Sequence, residues 1–126
     1  MIDTMIVDDD AALRVSMSLA LIDTGYRVRF VDSAFAALSE IRQEIPDILL
    51  SDLNMPGMSG FELLSIVRLS FPSILLIAMS GAYSGRSVPP GVVADAFYEK
   101  GCTVGSFMQI VADIASRDRH LSTPTS

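Results

Sequence analysis

The chain has little of what several common functions require. It has one cysteine, Cys102, in 126 residues, which excludes an internal disulfide and is typical of a reducing compartment. Lys100 is the only lysine, and the formal net charge is −6, so no basic surface for nucleic acid is expected. No apolar run approaches the ~20 residues of a membrane span, and no signal-peptide pattern opens the chain. We therefore predict a cytoplasmic protein without direct nucleic-acid or membrane contacts.

Short apolar runs alternate with helix-like segments along the chain. Strands are predicted at residues 2–7, 26–31, 47–52, 74–79 and 96–99, and helices at about 11–24, after Ser33, after Ser59 and at about 103–116. This alternation predicts right-handed crossovers and a parallel sheet with helices on both faces, an α/β fold. The length is that of one ordinary domain, here residues 1–116, followed by a polar tail at 117–126.

Helix starts and buried faces are also predicted. Asp10 and Ser33 are predicted N-caps, and Ser59 with Glu62 has the capping-box spacing. Leu13, Met17, Ala20 and Thr24 fall on one face of the first predicted helix, and the second carries the apolar residues Phe35, Leu38 and Ile41.

Acidic side chains stand where two of the strands end. Asp8 and Asp9 follow the first strand, and Asp52 closes the third. Ligands of such sheets bind beyond the carboxyl ends of the strands, so these carboxylates are predicted to converge with Ser80 and Lys100. At an effective dielectric of about 20, two carboxylates ~4 Å apart repel by roughly 4 kcal/mol, which a hard cation such as Mg²⁺ would relieve. The pattern predicts a metal site and makes one aspartate a candidate nucleophile.

The chain resembles the receiver domain of two-component response regulators over residues 1 to about 116. The matching segments are Ile6-Val7-Asp8-Asp9-Asp10, the stretch from Asp47 through Asp52-Leu53-Asn54-Met55-Pro56-Gly57 to Leu64, Ser80-Gly81, and Phe97-Tyr98-Glu99-Lys100. The resemblance implies a flavodoxin-like, doubly wound five-stranded sheet of order 2-1-3-4-5. It also implies that a histidine kinase or phosphotransfer protein transfers a phosphoryl group to the chain. The phosphorylated chain would then act on an output partner or form a homodimer.

The resemblance implies a role for each acidic residue. Asp52 would be the phosphoacceptor. Asp9 and Asp52 would bind Mg²⁺ directly, Asp8 would act through a metal-bound water, and Asn54 would contribute its backbone carbonyl.

Three further residues would bind the phosphoryl group or respond to it. Lys100 and the Ser80 hydroxyl would contact phosphoryl oxygens. The switch would consist of Ser80 and Phe97: the hydroxyl moves toward the phosphoryl group, and the Phe97 ring turns inward to fill the space behind it.

The chain departs from the family pattern at two places. Gly101 follows Lys100 where the family usually has proline after a cis bond, so a trans bond is expected here. Residues 81–95 are rich in proline and glycine, so the fourth helix of the family is predicted to be short or irregular.

Two other functions stay open from the residues. A phosphatase that forms an aspartyl-phosphate typically needs a second aspartate two residues beyond the nucleophile, and Asn54 at that position cannot transfer a proton. A receiver-like adaptor would bind partners without phosphorylation. We expect no stand-alone enzyme activity beyond the chain's own phosphoryl transfer and dephosphorylation.

Overall fold

Strands and helices alternate as the sequence predicts. The computed structural model describes residues 2–55, 57–81, 91–100 and 103–117. The strands are β1 (Asp3–Val7), β2 (Arg27–Val31), β3 (Ile48–Asp52), β4 (Leu75–Ser80) and β5 (Ala96–Glu99). The helices are α1 (Ala11–Asp23), α2 (Ala34–Gln43), α3 (Gly60–Ser70) and α4 (Val104–Arg117).

The five strands form one parallel sheet in the order β2-β1-β3-β4-β5. β1 pairs with β2 on one side and with β3 on the other, so the winding of the chain reverses between β1 and β3. This confirms the flavodoxin-like arrangement, and it brings the residues that follow β1 beside those that end β3.

Two apolar layers cover the sheet. One layer packs α2 and α3 against the sheet and includes Leu38, Leu63 and Val67. The other packs α1 and α4 and includes Met17 and Phe107. The strand β3, buried along its whole length, lies between these layers, as expected for a central strand of a parallel sheet.

The three predicted N-caps are confirmed. Each side-chain oxygen accepts a hydrogen bond from the backbone N–H three residues later, which satisfies one donor at the helix start. The pairs are Asp10 with Leu13 (3.2 Å), Ser33 with Ala36 (3.1 Å) and Ser59 with Glu62 (3.3 Å).

The buried face of α1 differs from the prediction. The helix buries Met17, Ser18 and Leu21, whereas Thr24 is exposed at the C-cap, where its hydroxyl donates to the carbonyl of Ala20. The buried face follows the bulky Leu21 rather than Ala20, because the larger side chain removes more apolar area from water.

Of the three apolar residues named on the second predicted helix, Phe35 does not face the core. Its side chain is 64% exposed, whereas Ala34, Ala37, Leu38 and Ile41 are buried. These four positions share one side of the helix, and Phe35 lies off that side. The two alanines allow the helix to approach the sheet closely, so the small residues mark the inner face.

Some predictions fall on residues that the structure does not describe. Residues 82–90, which contain most of the predicted irregular fourth helix, lie outside the described residues, as do Gly101, Cys102 and the tail from 118. In the described part of this connection, residues 91–95 form a turn and an irregular stretch without a helix. None of the helices described is long and apolar enough to cross a membrane.

Candidate functional site

Three carboxylates meet at the carboxyl edge of the sheet. Val7 and Ser51 are in register on β1 and β3, so Asp8 and Asp52, the residues that follow them, are neighbours. Oxygens of Asp8, Asp9 and Asp52 all lie within 4.8 Å of one another. Asp8 is fully buried and Asp52 is 4% exposed, whereas Asp9 is exposed. The structure thus brings together the acidic residues that the sequence singled out.

Lys100 bridges the two buried carboxylates. Its Nζ lies 2.8 Å from Asp8 Oδ2 and 2.9 Å from Asp52 Oδ2. Burial alone would lower the pKa of Lys100, but hydrogen bonds and charge interactions with Asp8 and Asp52 outweigh it, so the pKa lies above its usual value. The ammonium group is therefore charged at neutral pH and reaches the cluster from the end of β5.

Asp8 remains incompletely compensated despite this ion pair. Its Oδ1 accepts a hydrogen bond of 2.8 Å from the backbone N–H of Asp10. Its Oδ2 is buried and, among the described residues, receives no well-directed hydrogen bond, although Lys100 Nζ is close. Burial raises the pKa of Asp8 more than Lys100 and the Asp10 N–H lower it.

The donor set fits a hard divalent cation. The buried Oδ2 of Asp8 is paired with Lys100 Nζ but, among the described residues, accepts no well-directed hydrogen bond, and oxygens of Asp9 and Asp52 lie close to the Asp8 carboxylate. Carboxylate oxygens are the ligands that Mg²⁺ and Ca²⁺ prefer, and Asp9 and its exposed surroundings leave room for water ligands. The site has the chemistry to hold such an ion between β1 and β3.

Gly60 fixes the backbone at Asp52. A Cβ at Gly60 would lie 2.0 Å from the carbonyl oxygen of Asp52, so only glycine allows α3 to begin this close to the end of β3. The Gly60 N–H donates to the Leu53 carbonyl at 3.2 Å. Gly60 was not predicted from the sequence as part of the site. A glycine directly after the Ser59 N-cap, where helix propensity favours almost any other residue, was the available signal.

Asn54 links the phosphoacceptor candidate to the switch candidate. Its backbone N–H donates to Asp52 Oδ1 at 3.1 Å, and its side-chain Nδ2 donates to Ser80 Oγ at 3.0 Å. Ser80 is fully buried at the end of β4. Only the backbone carbonyl of Asn54 was predicted as part of the site from the sequence, and its side chain was not.

Phe97 lies in the core on β5. The ring is 1% exposed and belongs to the same apolar layer as Leu53 and Ala78, the latter its register partner on β4. The ring that was expected to turn inward is therefore already buried in this structure.

The fold and the site define a flavodoxin-like α/β domain with three carboxylates and a lysine grouped at the carboxyl edge of its sheet. The chain belongs to the response regulator receiver domain family, whose sequence pattern matches residues 4–106. It is 40% identical over 76 residues to the response regulator FleR of Pseudomonas aeruginosa, a match covering 60% of this chain and 16% of FleR. The chain therefore spans a small part of that relative.

Solved structures share the fold. A CheY-like receiver domain from Methanospirillum hungatei is 25% identical, with a TM-score of 0.82 over 95% of this chain and 98% of that one. The response regulator TrrA of Thermotoga maritima is 23% identical, with a TM-score of 0.82 over 90% of this chain and 99% of that one, and was solved in complex with Mg²⁺ and BeF. TrrA was also solved in complex with the histidine kinase ThkA.

Proposed function

We propose that the chain is a phosphorylation-controlled signal receiver, with residues 1–116 as the receiver unit, that accepts a phosphoryl group on Asp52 from a histidine kinase or phosphotransfer protein. The observation that carries the proposal is the nearly buried Asp52 carboxylate, grouped with Asp8 and Asp9 and paired with Lys100 at 2.9 Å. The TrrA structures support it, because that protein has the same fold and was solved with Mg²⁺ and BeF and with a histidine kinase.

Each residue near Asp52 would have a distinct part in the transfer. Asp9 and Asp52 would hold Mg²⁺ directly, Asp8 through water and Asn54 through its carbonyl. The ion would supply charge that offsets the repulsion between carboxylates and phosphoryl oxygens. Lys100 already holds a positive charge against Asp52 Oδ2, where an anionic phosphoryl group would arrive.

The group transfer itself needs positioning more than covalent help. An Asp52 carboxylate oxygen would form a bond to phosphorus while the P–N bond of the donor phosphohistidine breaks, and the imidazole would leave with the electron pair. The product would be an acyl phosphate on Asp52, which water can hydrolyse.

The same proposal places the switch at Ser80 and Phe97. The Ser80 hydroxyl would donate to a phosphoryl oxygen, and the core behind it would repack around Phe97. Because that ring is 1% exposed, its movement would be a change of packing within the core rather than an entry from solvent. Ser80→Ala should abolish phosphorylation-dependent amide shifts in β5 and α4; unchanged shifts would contradict this route.

Acetyl phosphate with Mg²⁺, followed by intact mass measurement, tests the acceptor. We expect an adduct of about 80 Da that is lost at alkaline pH, is absent in Asp52→Asn and persists in Asp23→Asn, an exposed acid on α1. No adduct on the wild-type chain would favour an adaptor that works without phosphorylation. Sustained turnover of a phosphomonoester would favour a phosphatase.

A further inference from the structure

The side chain and the backbone of Asn54 form hydrogen bonds to different residues of the site. One residue donates twice: from its backbone N–H to Asp52 Oδ1 and from its side-chain amide to Ser80 Oγ, at 3.1 and 3.0 Å. Asp52 Oδ2 is held separately by Lys100. Asn54 is therefore tied at once to the proposed acceptor at the end of β3 and to the proposed switch at the end of β4.

The direction of the second hydrogen bond restricts the orientation of the hydroxyl. An amide Nδ2 can only donate, so Ser80 Oγ accepts in this bond, and the proton of the hydroxyl points away from Asn54. A hydroxyl that accepts one hydrogen bond becomes a better donor in the next, because hydrogen bonds in a chain polarise each other. The amide thus both turns and strengthens the Ser80 donor.

We infer that the Asn54 side chain is a positioning residue, which orients the Ser80 hydroxyl to donate to the phosphoryl group on Asp52. The inference rests on the proposed function, because it explains how the Ser80 hydroxyl is oriented toward a phosphoryl group on Asp52. A hydroxyl that accepts this hydrogen bond has less orientational freedom to lose when the phosphoryl group arrives. Loss of the amide therefore weakens phosphoryl binding through Ser80.

The first measurement observes the link directly, in metal-free protein. Asn54 is the only asparagine in the chain, so its side-chain NH₂ resonances are assigned by their loss in Asn54→Ala. Ser80→Ala should shift them upfield, as expected when a donor loses its acceptor, whereas Ser80→Thr keeps the hydroxyl and should keep the shift. Resonances that Ser80→Ala leaves unmoved would overturn the inference.

The second measurement is the dissociation constant of beryllofluoride, a phosphoryl mimic, at saturating Mg²⁺. Asn54→Ala should raise it about 2- to 10-fold, the range for one net hydrogen bond. In a Ser80→Ala background the same change should have no further effect, and in Ser80→Thr the penalty should return. Gln109→Ala, which removes an exposed amide on α4, is the matched control and should leave the constant unchanged.

The outcomes separate the inference from the proposed function. An equal penalty for Asn54→Ala with and without the Ser80 hydroxyl, or no penalty at all, would overturn the inference while the receiver function stands. A wild-type chain that takes up no beryllofluoride would overturn both. Backbone amide spectra establish that each variant is folded, which is expected because Asn54 is exposed.

Discussion

Asp8 shows, at the scale of a single residue, how burial and neighbouring charges act on one carboxylate of the acidic cluster. Its carboxylate is fully buried, and the neighbouring charges are Lys100, Asp52 and Asp9. Burial is the largest influence on its pKa and raises it above the usual value of 3.8. The charged form is thus disfavoured in the folded chain, and a bound cation would remove that disadvantage.

The stability of the cation-free chain should therefore fall with rising pH because of Asp8. Below pH 3.8 the group is protonated in the folded and unfolded states and has no effect. Above it the unfolded chain ionises first, and stability is lost until the pH passes the raised folded pKa. In EDTA, the denaturant midpoint of Asp8→Asn should increase relative to that of the wild type as the pH rises across this window. The variant keeps the acceptor for the Asp10 N–H.

The matched control for this experiment is Asp32→Asn, an exposed acid that follows β2. It removes a carboxylate outside the acidic cluster and should not reproduce the widening gap expected for Asp8→Asn. Added Mg²⁺ should raise the midpoint of the wild type and of the control more than that of Asp8→Asn, which keeps the proposed direct ligands but loses one carboxylate charge. A gap between Asp8→Asn and the wild type that narrows with rising pH would contradict the argument.

At the scale of elements, the decisive contact is between the start of α3 and the end of β3. Ser59 caps the helix, and Gly60 places its first turn against the Asp52 carbonyl. The helix start thereby fixes the strand end from which the Asp52 side chain projects. The contact is between backbones, so no side-chain rotamer can relieve an added methyl group.

Gly60→Ala should lower the free energy of unfolding by about 2 kcal/mol or more, because the clash requires a shift of backbone. It should also slow acetyl phosphate labelling of Asp52. The matched control is Gly105→Ala, whose added Cβ would meet Thr103 Oγ1 at 3.6 Å and no other atom of the described residues within 4 Å. That variant should be as stable as the wild type or gain up to about 1 kcal/mol from helix propensity. Chemical denaturation compares the two; equal stabilities would refute the clash.

The elements and the acidic cluster were predictable from sequence for a common reason. Apolar runs that end in acids mark the ends of strands, and parallel strands end at one edge, so Asp8, Asp52 and Lys100 could be placed together. The link between Asn54 and Ser80 could not, because it depends on the path of the loop after β3. The residues on the inner faces of α1 and α2 could not be predicted reliably either. On α2, packing against the sheet buries small residues and leaves Phe35 exposed.

At the scale of the whole molecule, the site opens beside an apolar stripe on α1. Val15, Leu19 and Ile22 are 56, 64 and 57% exposed. Their spacing of four and three residues puts them on one side of the helix, away from the sheet. The helix begins immediately after Asp9 and Asp10, so a protein that delivers a phosphoryl group to Asp52 would reach this stripe as well. We expect the donor to pack apolar side chains there.

Leu19→Asp should therefore lower the rate of phosphotransfer to Asp52 by about 10-fold or more, because a charge would be buried at the centre of the contact. The donor in this measurement is a histidine kinase that phosphorylates the wild-type chain. Labelling by acetyl phosphate, which needs no docking surface, should be unchanged. The matched control is Leu69→Asp on α3, an 85% exposed leucine outside the stripe, which should reduce neither reaction. If Leu19→Asp slowed the reactions with both donors equally, the stripe would be needed for the fold and not for binding the kinase.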